Sequence, residues 1–179
     1  MGTVIVREAR RAEFPAVGTL RVDAYAAGGF LRRDDPYAET LRLLGTQGDG
    51  TVLVVEDEGN ILGTVMIAAD ASTELADSAD AADIRALAVA PESQGRGIAR
   101  LLLRSAVRRA AMSGVRHLLL SPRPDMRAAH HLYETEGFAR APELDWQPIP
   151  GFTLLVYEMR VSREKPVTRP GCRAGPATH

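Results

Sequence analysis

The residues from Asp83 to Met112 join three parts that together make an anion site: a strand, a glycine-rich turn and a helix. Ile84 to Ala90 is an apolar run of strand length with one charge, and Pro91 closes it because proline cannot donate to a sheet ladder. After Gln94-Gly95-Arg96-Gly97 the period becomes helical. Ala99, Leu102, Leu103, Ala106, Val107 and Ala110 fall on one face, and Arg100, Arg104 and Arg108 on the other. The first turn of such a helix leaves about four N–H groups unpaired, and the aligned peptide dipoles add roughly half a positive charge at the same end. Two glycines let the backbone come close to a ligand. A phosphate is the natural guest.

Spacing decides which phosphate compound. A Walker loop needs a lysine that the turn lacks, and a dinucleotide fingerprint needs a third glycine where Arg100 stands. Gln94, Gly97 and Ala99 instead spell Gln-x-x-Gly-x-Ala, directly after a strand that ends Leu-Ala-Val-x-Pro. A second segment, Ala129-His-His-Leu-Tyr-Glu-Thr-Glu-Gly-Phe138, reads A-x-x-L-Y-E-x-x-G-F through Ala129, Leu132, Tyr133, Glu134, Gly137 and Phe138. In both segments the chain resembles the GNAT superfamily of N-acyltransferases.

The resemblance implies an acetyl-CoA-dependent N-acetyltransferase, with acetyl-CoA as cosubstrate. The backbone of Gln94, Gly95, Arg96, Gly97, Ile98, Ala99 and Arg100 would hold the coenzyme pyrophosphate. Leu87, Ala88 and Val89 would pair their main chain with the pantetheine arm. A neutral amine would attack the thioester, and a backbone N–H near Val89 would stabilise the oxyanion. Tyr133 would lie beside the sulfur and protonate it as it leaves. Asp83 is the first candidate for the base that deprotonates the acceptor ammonium, with Glu74 second. The chain departs from the family at Met126, where many members carry an asparagine that meets the pantetheine. Two other readings stay open: a non-catalytic acyl-CoA-binding regulatory module on the same fold, and an unrelated nucleotide-binding domain.

His130 and His131 are neighbours on a helix and face apart, and without ligand spacing they imply no metal. His117, in a strand, reads as structural. The resemblance implies that Asp34 and Asp35 lie in a substrate-lining loop, and with the acidic edge Asp70 to Asp83 they suggest a cationic acceptor; the acceptor is otherwise any small-molecule or protein amine.

These residues need elements to position them. Val4 to Val6 reads as a strand, Glu13 to Ala26 as a helix ended by Gly28-Gly29, and Pro36 to Leu44 as a short helix. Thr51 to Glu56 and Ile61 to Ala68 form an antiparallel hairpin, and Ala69 to Ala82 an exposed acidic loop. Beyond the central helix come a strand over Val115 to Leu120, a helix over Arg127 to Thr135, a loop over Ala141 to Gly151, and a last strand over Phe152 to Val161. The fold class is α/β with a mixed sheet. The order resembles the GNAT fold from about Val4 to Val161, a central sheet splayed between two parallel strands and flanked by helices. The expected domain is 1–161, with 162–179 a polar tail that has nothing to bury.

Composition bounds the rest. The chain has 179 residues, 45% apolar and 25% charged, which suits a single globular domain. Its net charge of −1 offers no bulk basicity for nucleic acid or an anionic membrane. No apolar run approaches the roughly 20 residues that span a bilayer, and Met1 to Arg10 is not a signal sequence, so a cytoplasmic location is expected. Cys172 is the only cysteine and excludes an internal disulfide. A homodimer remains open.

Overall fold

The computed structural model describes residues 3–32, 34–68 and 80–162. In chain order its elements are β1 (Ile5–Glu8), α1 (Phe14–Ala27), α2 (Tyr37–Leu43), β2 (Gly50–Asp57), β3 (Asn60–Ala68), β4 (Ala81–Val89), α3 (Ile98–Met112), β5 (His117–Leu120) and α4 (Arg127–Thr135), followed by β6 (Ala139–Arg140), β7 (Trp146–Ile149), β8 (Phe152–Leu154) and β9 (Tyr157–Arg160). Seven strands make one sheet in the order β1-β2-β3-β4-β5-β9-β6, and β7 and β8 make a separate hairpin. Among the described residues only β4 and β5 run parallel. The mixed sheet flanked by helices is the architecture expected from the sequence.

The β2–β3 hairpin turns through Glu58 and Gly59, both at positive φ, the conformation a two-residue hairpin turn demands. Helix α3 buries Ile98, Leu102, Leu103, Ala106 and Ala110 against the sheet and leaves Arg100, Arg104 and Arg108 outside, as its period predicts. Burying each leucine stabilises the fold by roughly 1.5–3 kcal/mol relative to leaving it in water. The close seat of α3 depends on Gly63 of β3: a Cβ there would stand 3.0 Å from side-chain atoms of both Ile98 and Leu102. The first turn of α3 is thereby pinned over the end of β4.

The structure corrects the expected boundaries in three places. Strand β4 begins at Ala81 rather than Ile84, because Ala81, Ala82 and Asp83 pair with His117, Leu118 and Leu119 of β5. Small alanines carry no strand signal of their own; the buried parallel neighbour recruits them. The stretch expected as a loop from Ala141 to Gly151 contains β7, and the single last strand is two strands. Between β8 and β9 the chain leaves the hairpin for the main sheet, with Leu155 N–H bonding Pro122 O and Val156 N–H bonding the Asp145 carboxylate. The expected acidic loop and the polar tail fall, apart from Asp80 to Ala82 and Ser162, outside the described residues.

Candidate active site

The parallel pairing of β4 with β5 ends at Asp83 and Leu119. Beyond that point β4 keeps only β3 beside it and β5 only β9, so the sheet opens into a gap. A bulge sharpens the opening: the register passes from Met66 opposite Arg85 to Thr64 opposite Ala88, setting two residues of β4 against one of β3. Ala86, in the bulge, has φ near 50°, a left-handed conformation that costs a non-glycine residue about 1–3 kcal/mol. Ala90 gives its N–H to Leu62 O on the β3 side at 2.9 Å, so strand alternation turns the N–H of Val89 into the gap.

At the end of β4 the chain makes a short 3-10 turn over Pro91–Ser93 and enters α3 through Gly95 and Gly97, both at positive φ. Gly97 is the N-cap and no side chain caps the helix. The first intrahelical donor is Leu101, to Gly97 O, which leaves the amides of Ile98, Ala99 and Arg100 without a backbone partner among the described residues. A Cβ at Gly95 or Gly97 would meet nothing within 4 Å, so open space lies over the turn. These amides, the open space and the gap beside Leu87 to Val89 fit a phosphate-bearing chain laid along the end of β4. Side chains in the turn are turned to other tasks. Arg96 reaches Asp57 at 3.5 Å, and Arg100 and Arg104 both bind Glu136, whose carboxyl is held below its usual range chiefly by the Arg104 hydrogen bond.

Tyr133 of α4 is buried and shares one packed cluster with Ile84 of β4 and Leu120 of β5, against which Leu87 and Val89 also pack. Its ring centroid lies 6.2 Å from Phe138 and 6.0 Å from Tyr157. Among the described residues its phenol has no hydrogen-bond partner, and burial pushes its pKa well above the ordinary tyrosine range. Asp83, the first candidate for the base, lies within β4. It is buried at 4% exposure in mid-strand, and Arg85 donates to it at 3.1 Å. Ala82 and Ile84, its neighbours, face α3, so Asp83 faces the opposite side, the one α1 and α2 cover. Tyr133 and Asp83 thus flank the gap from different elements. Glu74 lies outside the described residues. Of the acidic pair, Asp35 spends a carboxylate oxygen on the Tyr37 N–H at the start of α2, 2.9 Å away.

Residues 7–138 match the family model described as the acetyltransferase (GNAT) family. The chain belongs to that family. No curated protein matches the sequence. Among solved structures, the ribosomal-protein-S18-alanine N-acetyltransferase from Escherichia coli superposes with a TM-score of 0.69 at 18% identity, covering 93% of this chain and 99% of that one. The PaiA N-acetyltransferase from Thermoplasma acidophilum, solved in complex with coenzyme A, gives 0.69 at 14% identity over 88% of this chain and 99% of its own. An N-acetyltransferase from Staphylococcus aureus Mu50 gives 0.65 at 17% identity, over 88% and 98%. At such identities the likeness speaks for the GNAT fold alone.

The GNAT match stops at Phe138, and Tyr157, whose ring packs against Tyr133, lies beyond it. Tyr157 of β9 is buried, and its hydroxyl lies 2.9 Å from Glu134 Oε1 and 2.8 Å from His130 Nδ1. His130 Nε2 stands 2.8 Å from Arg123 O, and a carbonyl can only accept, so Nε2 carries the hydrogen. One phenolic hydrogen then serves two acceptors, the imidazole and the carboxylate, unless a further proton is shared between them. Burial, with help from Glu134, pushes the Tyr157 pKa up to about 12. The sequence reading denied His130 a carboxylate at ligand spacing; Glu134 stands at i+4, and the two meet through Tyr157 rather than through a metal. Among the described residues no cluster of metal-ligating side chains exists. That i+4 spacing was the available signal; the distant Tyr157 gave none.

Proposed function

We propose that this GNAT protein transfers the acetyl group of acetyl-CoA to a primary amine carried by a small molecule or a protein. One observation carries the reading: β4 and β5 part beyond Asp83 and Leu119, with the unspent amides at the start of α3 at one edge and Tyr133 at the other. Acetyl-CoA, when bound, supplies an activated thioester. The backbone of Gln94 to Arg100 takes the pyrophosphate, the guest that unpaired helix amides and open space above two glycines favour. Leu87, Ala88 and Val89 line the pantetheine path, and the Val89 N–H, already turned into the gap, faces the acyl oxygen as a preorganised donor worth about 3 kcal/mol. Met126, the N-cap of α4, replaces the family's asparagine, so these main-chain contacts take a larger share of the binding.

Tyr133 stays protonated at neutral pH because burial disfavours its phenolate, and it donates to the departing sulfur. Asp83 accepts the ammonium proton through water, with Arg85 orienting the carboxylate. No described helix is long and apolar enough to cross a membrane. A cytoplasmic site of action is part of the proposal.

The test is amine-dependent thiol release from acetyl-CoA across a panel of primary amines of differing charge. Acceleration by at least one amine over the acetyl-CoA-alone rate is expected. Acetyl-CoA binding with no acceleration by any amine would support the non-catalytic module instead.

A further inference from the structure

Arg123 lies between β5 and α4, outside the donor site. Its guanidinium donates to Phe30 O at 2.6 Å, across 93 residues of sequence, and lies 5.8 Å from the Phe30 ring and 5.3 Å from the Phe152 ring. The remaining nitrogens make a two-pronged contact with Asp125, at 3.0 and 2.9 Å. A fork that bonds a carbonyl and a carboxylate while two aromatic rings flank it is beyond the reach of lysine. The contacts tie together two segments of the side of the sheet opposite α3: the chain between α1 and α2, through Phe30, and the β7–β8 hairpin, through Phe152. The Arg123 carbonyl receives the His130 hydrogen bond, and His130 leads to Tyr157 and so to the ring on which Tyr133 rests.

We propose that Arg123 is a positioning residue for acetyl transfer: it fastens the acceptor-side loop and hairpin with its guanidinium and holds the helix of Tyr133 with its carbonyl. The loop that would seat the amine and the phenol that would protonate the sulfur are then set by one residue, so a shift on the acceptor side reaches Tyr133 through Arg123 and His130. This rests on the acetyltransferase reading. Arg123 touches neither reacting atom. Pro122 O, which accepts from Leu155 N–H at 3.0 Å, and Trp146, which donates to Ser121 at 3.2 Å, attach the same segment to the hairpin side.

Two readouts test the link, taken on the full-length protein with Arg123→Ala and Arg123→Lys. In steady-state kinetics with the best amine of the panel, Arg123→Ala should raise the amine KM about tenfold or more while the acetyl-CoA KM stays within about twofold, the pattern of lost acceptor positioning. Arg123→Lys, which keeps the charge but not the fork, should fall between. In nitrogen NMR of the histidine rings, Arg123→Ala should shift the His130 resonances, identified by their loss in His130→Gln. Phe152→Leu, which leaves Arg123 itself intact, should move both readouts the same way by less, and it serves if Arg123→Ala does not fold. Any variant that moves only one of the two readouts, or neither, overturns the proposal. A wild type that turns over no amine sinks the acetyltransferase reading, whereas the NMR readout still decides whether Arg123 and His130 are mechanically linked.

Discussion

Tyr133 and Tyr157 meet edge to face, their ring centroids 6.0 Å apart, and the two phenols are treated oppositely. Tyr157 is hydrogen-bonded to both His130 and Glu134, whereas Tyr133 keeps its hydroxyl without a partner among the described residues. An edge-to-face pair of this kind contributes about 0.5–1.5 kcal/mol beyond its buried area. The anchored ring therefore holds the unanchored one, and Tyr133 has a fixed position with an unspent proton.

Tyr133→Phe removes that proton and little else, since no hydrogen bond within the described residues is lost. Melting temperature and acetyl-CoA affinity should stay near wild type while kcat falls roughly 100-fold or more, the mark of an interaction made in the transition state. Calorimetry and steady-state kinetics on the same preparation check both halves. Full kcat in the variant would leave solvent to protonate the sulfur.

Asp83→Asn keeps the size of the side chain and removes the base. The half-buried Arg85 partner then faces a neutral amide, so some loss of stability is expected, of about 1–3 kcal/mol. Activity at low pH should fall more than activity at high pH, where the amine loses its proton to solvent without help. A pH profile scaled down uniformly would make Asp83 a structural partner of Arg85 only.

Tyr157 links function to alkaline stability. Its pKa rises from the ordinary tyrosine value of 10.0 to about 12 in the fold, because burial and Glu134 favour the neutral phenol. Below pH 10 the phenol is neutral in both folded and unfolded chains and its contribution is complete; between 10 and 12 only the unfolded chain releases the proton, so stability falls as pH rises. Tyr25, Tyr37 and Tyr133 are raised by burial and act in the same direction. Denaturant midpoints across this window should fall less steeply in Tyr157→Phe than in wild type. Equal slopes would contradict the burial of the Tyr157 phenol beside Glu134.

The glycine turn before α3 was legible because its signals are local. Gln94, Gly97 and Ala99 stand within six residues, and the turn needs positive φ where glycines stand. Helix α4 was likewise readable from its own segment, Arg127 to Thr135 matching the observed bounds. The burial of Asp83 was not legible, since it comes with pairing to Leu119, which a reading of β4 alone does not contain. Arg123 and Tyr157 were not legible at all. Their partners Phe30 and His130 are 93 and 27 residues away, and contacts over such distances leave no periodicity.

The central claim is that the gap beside β4 and the turn at Gly95 and Gly97 form the acyl-donor site, and Gly97→Val tests it most directly. Valine disfavours the φ of 76° that the N-cap adopts, and its side chain projects into the space the pyrophosphate would take. The measurement is the melting temperature of wild type and variant with and without acetyl-CoA. At about 100 times Kd the ligand stabilises the wild type by about 2.7 kcal/mol, a rise of roughly 5–10 °C for a chain of this size. The account predicts that rise in the wild type and little or none in Gly97→Val; a wild type that does not respond, or a variant that responds as fully, would contradict it.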